Sequence, residues 1–562
     1  MREEKKHAGG KMKKFLDEIL ADNEIGICSR TGGNPEIVDL AFDSRSVSEG
    51  TLFFALPGTH TTGNAFVKSA LDAGAKAVVY EGELDENILA RKEIAFVKVG
   101  SARKAMAPIS ASFYGNPSRN IAIIGVTGTE GKSSTVSFIW QLLRLSGHKA
   151  GFISTVQYSL GGEALANPNH TTTPEATIIQ KHLRGMVDNG CEFAVIETSS
   201  HGLSPKLNRT GNIDFDCGVF MNVTLEHLEF HGTFEQYRDD KANLFRKLDA
   251  SNHDKTILGK KVSVPSFGIV NMEDPSATYF IKATKKPVLG FTTEGKAGKS
   301  AAEGTEASPL PPVPADIPFL LARNIAAARF GLAFDMIEPH AIDSAARPLP
   351  PKVIRVKAPL PGAFNTYNIM AAMLAVSRLT GTPLEEIAPL AQNLVPVKGR
   401  MTVIDKGQPF ELIVDYAHTP SSFETIFPPV RRRCAGKMIC VFGSGGERDT
   451  EKRPLQGRVA AKFCDTVILA DEDPRGEDSV ALLEDIAAGS RDEGKQDGKD
   501  LFIIPDRPSA IRKAFSLAKN DDIVLLLGKA HENSIIYKDR TMPYDEIGEA
   551  EKALAEIGFC GK

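Results

Sequence analysis

Ile121-Ala-Ile-Ile-Gly-Val-Thr-Gly-Thr-Glu-Gly-Lys-Ser-Ser134 is the stretch whose reading decides the fold. Its first six residues are the unbroken apolar run expected of a strand covered on both faces. Thr127 to Ser134 is a glycine-rich loop, and Lys132 to Leu145 carries the spacing of a helix. Strand, loop and helix in that order make a phosphate cradle. Backbone N–H groups of the loop and of the helix N-terminus face the anion, and glycines let the backbone come close. Thr127, Gly128, Thr129, Glu130, Gly131, Lys132, Ser133 and Ser134 are therefore candidate nucleotide-binding residues. Lys132 would hold the β- and γ-phosphates as a point charge, and the Ser133 hydroxyl would ligate Mg²⁺. Strict G-x4-G-K-[ST] spacing requires glycine at 126, where valine stands, so the loop is a variant. A glycine turn with an exposed lysine is the plainer alternative, and the flanking strand and helix favour the nucleotide.

Working outward, strands at Ala150–Ile153, Phe193–Ile196 and Cys217–Phe220 alternate with helical stretches and predict a mostly parallel sheet covered on both faces. Before the loop, a charged helix at Met12–Asp22 leads into strand Thr51–Leu56, helix Ala65–Ala73 and strand Ala77–Tyr80, a small α/β unit. It ends at the turn-rich Tyr114–Ser118. After a Gly-, Ala-, Ser- and Pro-rich stretch at 294–316, read as a surface loop, strands at 411–414, 437–442, 466–469, 501–504 and 523–527 predict a second doubly wound sheet. A helix at Ser509–Ala518 is one of those between them. The expected class is α/β in three domains, 1–117, 118–398 and 399–562: a small N-terminal unit, a central mononucleotide-binding sheet and a C-terminal Rossmann-like sheet.

Composition agrees with an enzyme of that size. At 562 residues the chain exceeds one core, since a domain takes roughly 150 residues. A formal charge of −4 offers no general attraction to nucleic acid or to an anionic membrane, so bound phosphates must be held by local loops. No apolar run resembles a signal peptide or approaches the ~20 residues of a membrane span. The 7 cysteines form no C-x-x-C pair, which fits reduced thiols and a cytoplasmic protein, not a disulfide framework or zinc site.

Downstream lie Glu197-Thr-Ser-Ser-His-Gly202, Asn222-Val-Thr-Leu-Glu-His-Leu-Glu-Phe-His231 and Tyr237-Arg-Asp-Asp-Lys-Ala242. Glu197 directly follows a strand, so its carboxylate emerges at the C-terminal edge, where open α/β sheets bind ligands. It could share Mg²⁺ with Ser133 and nucleotide oxygens. Read from the residues alone, Lys241 is an ordinary surface lysine on a helix.

Together with the phosphate loop, these segments resemble the Mur ligase family, ATP-dependent peptide ligases of peptidoglycan precursor synthesis. That family reads T-G-T-N-G-K-[ST], E-x-S-S-H and N-x-[ST]-x-D-H-L-D-x-H, followed by a lysine. The resemblance implies that Glu197 and His227 are metal ligands and that Lys241 is carbamylated by CO₂, which turns an ammonium into an oxygen-donor anion beside Mg²⁺. Lys132, His227 and Lys241 would then be the catalytic set. Two departures stand out. Glu130 replaces the family's asparagine and puts a carboxylate beside a triphosphate, which is unfavourable unless it points to solvent or to a cation. Glu226 and Glu229 replace two aspartates, and neither is assigned as a ligand. Further motifs, Gly362-Ala-Phe-Asn-Thr-Tyr-Asn368, Lys398-Gly-Arg-Met401 and Asp415-Tyr-Ala-His-Thr-Pro420, imply that Asn368, Arg400, Asp415 and His418 face ATP between the second and third domains. The resemblance runs through residues 38 to 545, with the motifs in family order.

Other segments resemble the branch of the family that adds the third residue, a diamino acid, to UDP-N-acetylmuramoyl-L-alanyl-D-glutamate. Phe42-Asp-Ser-Arg-Ser46 with Gly50–Gly58 would form the UDP pocket, with Ser44 its candidate. Thr172, Thr173, Ser199 and Arg209 would contact the muramoyl part. Three loops, Gly443–Pro454, Asp471–Glu477 and Gly528–Glu532, follow parallel strands and should converge at one edge. Arg448, Glu472, Asp473, Arg475, Gly528 and Glu532 would bind the amino acid there, a charge mixture suited to a zwitterion. The branch's D-N-P-R signature for meso-diaminopimelate reads Glu472-Asp-Pro-Arg475 here. Arg475 favours a second carboxylate, whereas Asp473 favours a terminal amine such as that of lysine or ornithine, and the choice stays open.

The expectation is thus a monomeric cytoplasmic ligase acting on small molecules through an acyl phosphate, with ATP, Mg²⁺ and a lysine carbamate. It binds neither nucleic acid nor membrane. A folylpolyglutamate synthetase-like ligase would leave the domain ahead of the phosphate loop unexplained. A non-catalytic nucleotide-binding regulator would account for Glu130.

Overall fold

A computed structural model describes residues 12–21, 25–58, 62–167, 171–224, 226–294, 317–328, 331–338 and 351–561. The surface loop expected at 294–316 lies outside these residues except for Glu294. Among the described residues, three large sheets follow one another along the chain.

The first has five strands. Asp39–Ala41, Thr51–Ala55, Ala77–Tyr80 and Ala95–Val99 run parallel, and Ile27–Thr31 is antiparallel at one edge. The helix expected at Met12–Asp22 is shorter. Lys14–Phe15 pairs as a strand with Glu36–Ile37, and the helix covers only Leu16–Ile19. Phe15 stands outside the helix as its cap, its N–H held by the Glu18 carboxylate at 3.0 Å. The helix expected at Ala65–Ala73 also begins as a 3₁₀ turn, Gly63–Phe66, before the α-helix Val67–Asp72.

The central sheet has eleven strands among the described residues. Ala150–Ile153, Phe193–Glu197, Ala122–Thr127, Cys217–Phe220, Phe267–Asn271, Val288–Thr293 and Phe319–Ala328 lie side by side in parallel. The expected parallel core is present, but the sheet is longer and becomes antiparallel through Gly331–Glu338 and Lys352–Ala358. These strands alternate buried and partly exposed residues, as expected where one face meets solvent. Helix Asn365–Thr380 packs beside helix Lys132–Leu145 on one face of the parallel part.

The last sheet runs in the order Thr402–Ile404, Glu411–Asp415, Ile523–Leu527, Met438–Phe442, Thr466–Leu469 and Leu501–Ile503, parallel but for its first strand.

A buried ionic knot ties the far end of the central sheet. Asp216, fully buried, accepts from Ile123 N at 2.8 Å, from His253 Nδ1 at 3.0 Å and from Lys255 Nζ at 2.5 Å. Lys255 also donates to the carbonyls of Ile121 and Asp214. Removing one partner of such a pair strands the other charge, which costs more than the pair contributes. Lys255→Met should lower the unfolding free energy by about 3 kcal/mol, read as a falling urea midpoint. Adding Asp216→Asn should recover part of the loss. An unchanged midpoint for Lys255→Met would show that water already solvates the knot.

Candidate functional site

The phosphate loop is held open from below by one side chain. Asn222 Oδ1 accepts from Thr129 N at 3.1 Å and from Glu130 N at 2.8 Å, and its Nδ2 donates to the Glu130 carbonyl. Helix Lys132–Leu145 starts at Gly131 with no side-chain cap, so its first-turn N–H groups are free to receive an anion. Gly131 has φ 81°, and a Cβ there would meet Asn368 Oδ1 at 2.7 Å. Only glycine fits that turn. Asn368 is itself fixed by Thr135 Oγ1 and by Asn365 Oδ1.

Above the loop is a cavity of about 480 Å³ between the second and third domains, lined by Lys132, Glu226, Tyr367, Arg400 and Tyr416 among others. Ser133 Oγ donates to Glu197 Oε1 at 3.0 Å, and Thr155 binds the same carboxylate through its N–H and hydroxyl at 2.9 and 3.0 Å. Arg400, from the last domain, reaches Ser133 Oγ at 3.2 Å and stacks over the Tyr416 ring. Hard oxygen donors therefore converge at the helix N-terminus, the chemistry Mg²⁺ selects. No three His, Cys, Asp or Glu side chains cluster as a metal cage among the described residues. A metal here would need nucleotide oxygens as well, so the donor set fits Mg²⁺ shared with a phosphate.

Lys241 is not on the surface. Its side chain is buried at 2% exposure, donates to the Gly128 carbonyl at 2.7 Å and lies over the Tyr237 ring. Burial, then the neighbouring Lys132 charge, pushes its pKa well below the usual lysine value. The amphipathic pattern failed to flag it because the exposed-face reading assumes an ordinary helix lysine, and this face turns beneath the phosphate loop. A neutral buried amine is a nucleophile toward CO₂.

Glu226 gathers the cleft's other charges. Its carboxylate lies 3.6 Å from His227 Nε2 and 3.8 Å from His418 Nε2, and accepts from the Tyr237 hydroxyl at 3.3 Å. Burial works to raise its pKa, but His227, His418, Lys132 and Lys452 outweigh that and hold it near 2. His418 donates from Nδ1 to the Tyr416 carbonyl at 2.8 Å, and burial drops its pKa to about 4. His227 is in the left-handed region at φ 57° and half-exposed at the rim. Glu130 is half-buried and lines the cavity; burial first, then Glu226, raises its pKa to about 7. Asp415 uses both oxygens on backbone, accepting from Met401 N and Ala417 N at 2.6 and 2.7 Å, and so fixes the Arg400 loop.

Of the residues expected at the muramoyl substrate, Thr172 lines the cavity. Thr173 is fully buried, its hydroxyl donating to the Glu197 carbonyl and accepting from Ser199 N and Oγ. Thr173 and Ser199 thus brace the strand end that carries Glu197. Arg209 forks Glu175 and reaches the Thr173 carbonyl, while Arg103 approaches Glu175 from the first domain. Ser44 sits on the 3₁₀ turn Ser44–Ser46 of the first domain, apart from the phosphate cavity.

The three loops of the last domain do meet. Gly446 N donates to the Asp473 carbonyl, Arg475 N to Ile536 and Arg475 Nη1 to the Gly446 carbonyl. Arg448 is near Arg475 and Glu229. Asp473 is not a free negative charge: the buried Lys529 donates to Asp473 Oδ1 at 2.9 Å and to Glu532, and Ile536 N adds a second bond to Oδ1. Among the described residues, Glu472 keeps one buried oxygen without a partner, against Gly528, where a Cβ would come within 2.9 Å.

Thr155, Asn222, Glu226 and Lys529 were not among the residues the sequence singled out for the site. Three lie inside or beside quoted motifs, and only Thr155 had no local signal, since it reaches Glu197 across the sheet edge.

Similarity to known proteins covers the same three units. Residues 36–114 match the model described as Mur ligase family, catalytic domain; 126–376 match the Mur ligase middle domain; and 399–530 match the Mur ligase, glutamate ligase domain. The UDP-N-acetylmuramyl-tripeptide synthetase of Treponema denticola is 54% identical over 91% of this chain and 90% of its own. The UDP-N-acetylmuramoyl-L-alanyl-D-glutamate–2,6-diaminopimelate ligase of Geobacillus kaustophilus is 38% identical over 94% of this chain and 96% of its own. A solved structure of a UDP-N-acetylmuramoyl-L-alanyl-D-glutamate–2,6-diaminopimelate ligase superposes with a TM-score of 0.56 at 25% identity, covering 97% and 99% of the two chains. Identity at this level across nearly the whole length, on top of a phosphate loop braced as described, means that the chain belongs to the Mur ligase family.

Proposed function

We propose that the protein joins a diamino acid to UDP-N-acetylmuramoyl-L-alanyl-D-glutamate, cleaving ATP to ADP and phosphate. The observation that carries this reading is the cleft itself: a helix N-terminus without a side-chain cap and Lys132 line it, and Arg400 from the next domain reaches the Ser133 hydroxyl that bonds Glu197. In the reaction, the dipeptide carboxylate attacks the γ-phosphate of ATP, and ADP leaves an acyl phosphate. The α-amine of the diamino acid then attacks the acyl carbon, loses a proton and expels phosphate as the peptide bond forms. Lys132 and Arg400 offset charge growing on the transferring phosphoryl group. Mg²⁺, when bound by Ser133 and Glu197 with nucleotide oxygens, supplies Lewis-acid charge to the same group. His227, and Lys241 as its carbamate, would be the further ligands of that metal.

The amino acid would lie where the three loops of the last domain meet. Its ammonium groups find Glu472, whose buried oxygen lacks a partner, and its carboxylate finds Arg448 and Arg475. The expected site is small and charged throughout, so substrates without a second polar end are rejected. No helix among the described residues is long and apolar enough to cross a membrane, which suits water-soluble nucleotide substrates.

Lys132→Ala should reduce ligation by at least ~10²-fold, as loss of one charge-stabilising donor does; near-normal ADP release dependent on both substrates would contradict the scheme. Phosphate release should be at least ~10²-fold faster with the best of diaminopimelate, lysine and ornithine than with alanine, because alanine leaves the distal charges unpaired. Equal rates with alanine would remove the diamino-acid reading and keep the ligase. Glu130 titrates near 7. Its neutral form, dominant below that pH, tolerates a triphosphate, and its anion repels one. KM for ATP should therefore rise about fivefold between pH 6 and 8, the effect of roughly 1 kcal/mol of like-charge repulsion. Glu130→Gln should flatten the rise, and an equal rise in that variant would assign it to another group.

A further inference from the structure

Behind the cleft, three side chains that the scheme above does not use form a buried chain of hydrogen bonds. His231 Nδ1 lies 2.8 Å from Asp240 Oδ2, and His231 Nε2 lies 3.0 Å from Ser200 Oγ. Asp240 Oδ1 accepts from Gln236 Nε2 at 3.1 Å. A carboxylate only accepts, so Nδ1 carries a ring hydrogen toward Asp240, and Nε2 meets the serine hydroxyl. The order is that of a hydrolytic triad, but no substrate can reach the serine. Ser200 and Asp240 are 1% exposed, His231 is 5% exposed, and none of the three lines the cavity.

What the chain joins is more informative than its order. Ser200 opens the short helix Ser200–Leu203, three residues after Glu197. His231 closes the helix Leu228–His231, whose cap is His227, and its N–H bonds back to the His227 carbonyl at 3.1 Å. Asp240 precedes Lys241 on helix Phe234–Ala250. Each member therefore sits within one helical turn of a different metal-ligand candidate, on three segments that are otherwise separate in sequence. Ring packing reinforces the join: His201 stands edge-on to His227 and to His231 at 4.9 and 5.3 Å, and Tyr237 packs on His231 at 5.1 Å while its hydroxyl meets Thr129 in the phosphate loop.

We propose that Ser200, His231 and Asp240 are positioning residues, a buried clamp that sets the mutual placement of Glu197, His227 and Lys241. This rests on the functional reading above. Residues that orient metal ligands act on affinity: losing one costs about 10- to 100-fold. Because Ser200 and Asp240 act through the same imidazole, their effects should be less than additive when combined.

The test uses the full chain with β,γ-methylene ATP and Mn²⁺ as the probe metal, its affinity read by electron paramagnetic resonance. A parallel sample in ¹³C-bicarbonate reports the lysine carbamate by ¹³C NMR, assigned by its loss in Lys241→Ala. Ser200→Ala and Asp240→Asn are each expected to weaken Mn²⁺ binding at least ~10-fold and to diminish the carbamate signal, with melting displaced by no more than about 4 °C. The double variant should lose little more. Wild-type Mn²⁺ affinity and carbamate in both variants would overturn the clamp and leave the metal site standing. A loss of affinity that merely tracks the fraction unfolded would also overturn it. Failure of the unsubstituted protein to bind Mn²⁺ with the nucleotide would instead overturn the metal-site reading, and the clamp with it.

Discussion

The contact on which the rest depends is the Ser133 hydroxyl, touched by Glu197 from the central sheet and by Arg400 from the last domain. An uncapped helix N-terminus attracts anions whatever surrounds it, but it does not choose a reaction. Here the first helical turn also presents a hydroxyl already aligned on a carboxylate, and that carboxylate is fixed in turn by Thr155. The guanidinium from the neighbouring domain then brings a positive charge to the same point. On the proposed reading, a triphosphate at this point would meet the Arg400 charge and the oxygens of Ser133 and Glu197 together, and such preorganisation is what electrostatic catalysis needs. The cost is that the site exists only while the two domains are held together.

Three buried lysines show how differently one ammonium can be treated. Lys255 and Lys529 each meet carboxylates, Asp216 for the first and Asp473 with Glu532 for the second, so their charge is compensated within the fold. Among the described residues, Lys241 has only the Gly128 carbonyl as a hydrogen-bond partner, and it lies near the Lys132 charge. A charged amine in that position is the most expensive of the three. Either it stays neutral or it changes chemically, and reaction with CO₂ does the second by replacing a cation with an anion. In the proposed scheme, carbamylation would remove the ammonium that burial and the Lys132 charge disfavour there and leave an oxygen donor beneath the loop.

Much of this was legible from residue order. The strand, loop and helix around Thr127–Ser134 follow from apolar run, glycines and helical spacing, and the convergence of the last domain's loops follows from parallel strands alone. Other features depend on what folding brings together across long separations. Nothing local marks Thr155 as the brace of Glu197, 42 residues away. The burial of Lys241 depends on which face of its helix turns under the loop. The antiparallel extension at 331–338 and 352–358 escaped because its strands alternate only modestly. Glu226 was set aside as an elongated aspartate, yet the longer arm lets it meet His227 and Tyr237 from its own domain and His418 from the next.

The amino-acid pocket shows the limit of counting charges in a motif. Against an asparagine, Asp473 adds one negative charge, which by itself argues for a terminal ammonium. In the folded protein that charge faces inward, onto Lys529 and the Ile536 amide, while its second oxygen stays 3.8 Å from Arg475. Lys529 is shared with Glu532, so one lysine serves two acids. On the proposed reading, the groups left for a substrate are Glu472, one of whose oxygens is buried without a partner among the described residues, and the two arginines. A buried acceptor without a donor is costly, and an ammonium that reached Glu472 would relieve that cost. On that reading, selectivity would turn on the position of that one oxygen relative to Arg475, more than on the sum of acids and bases around it.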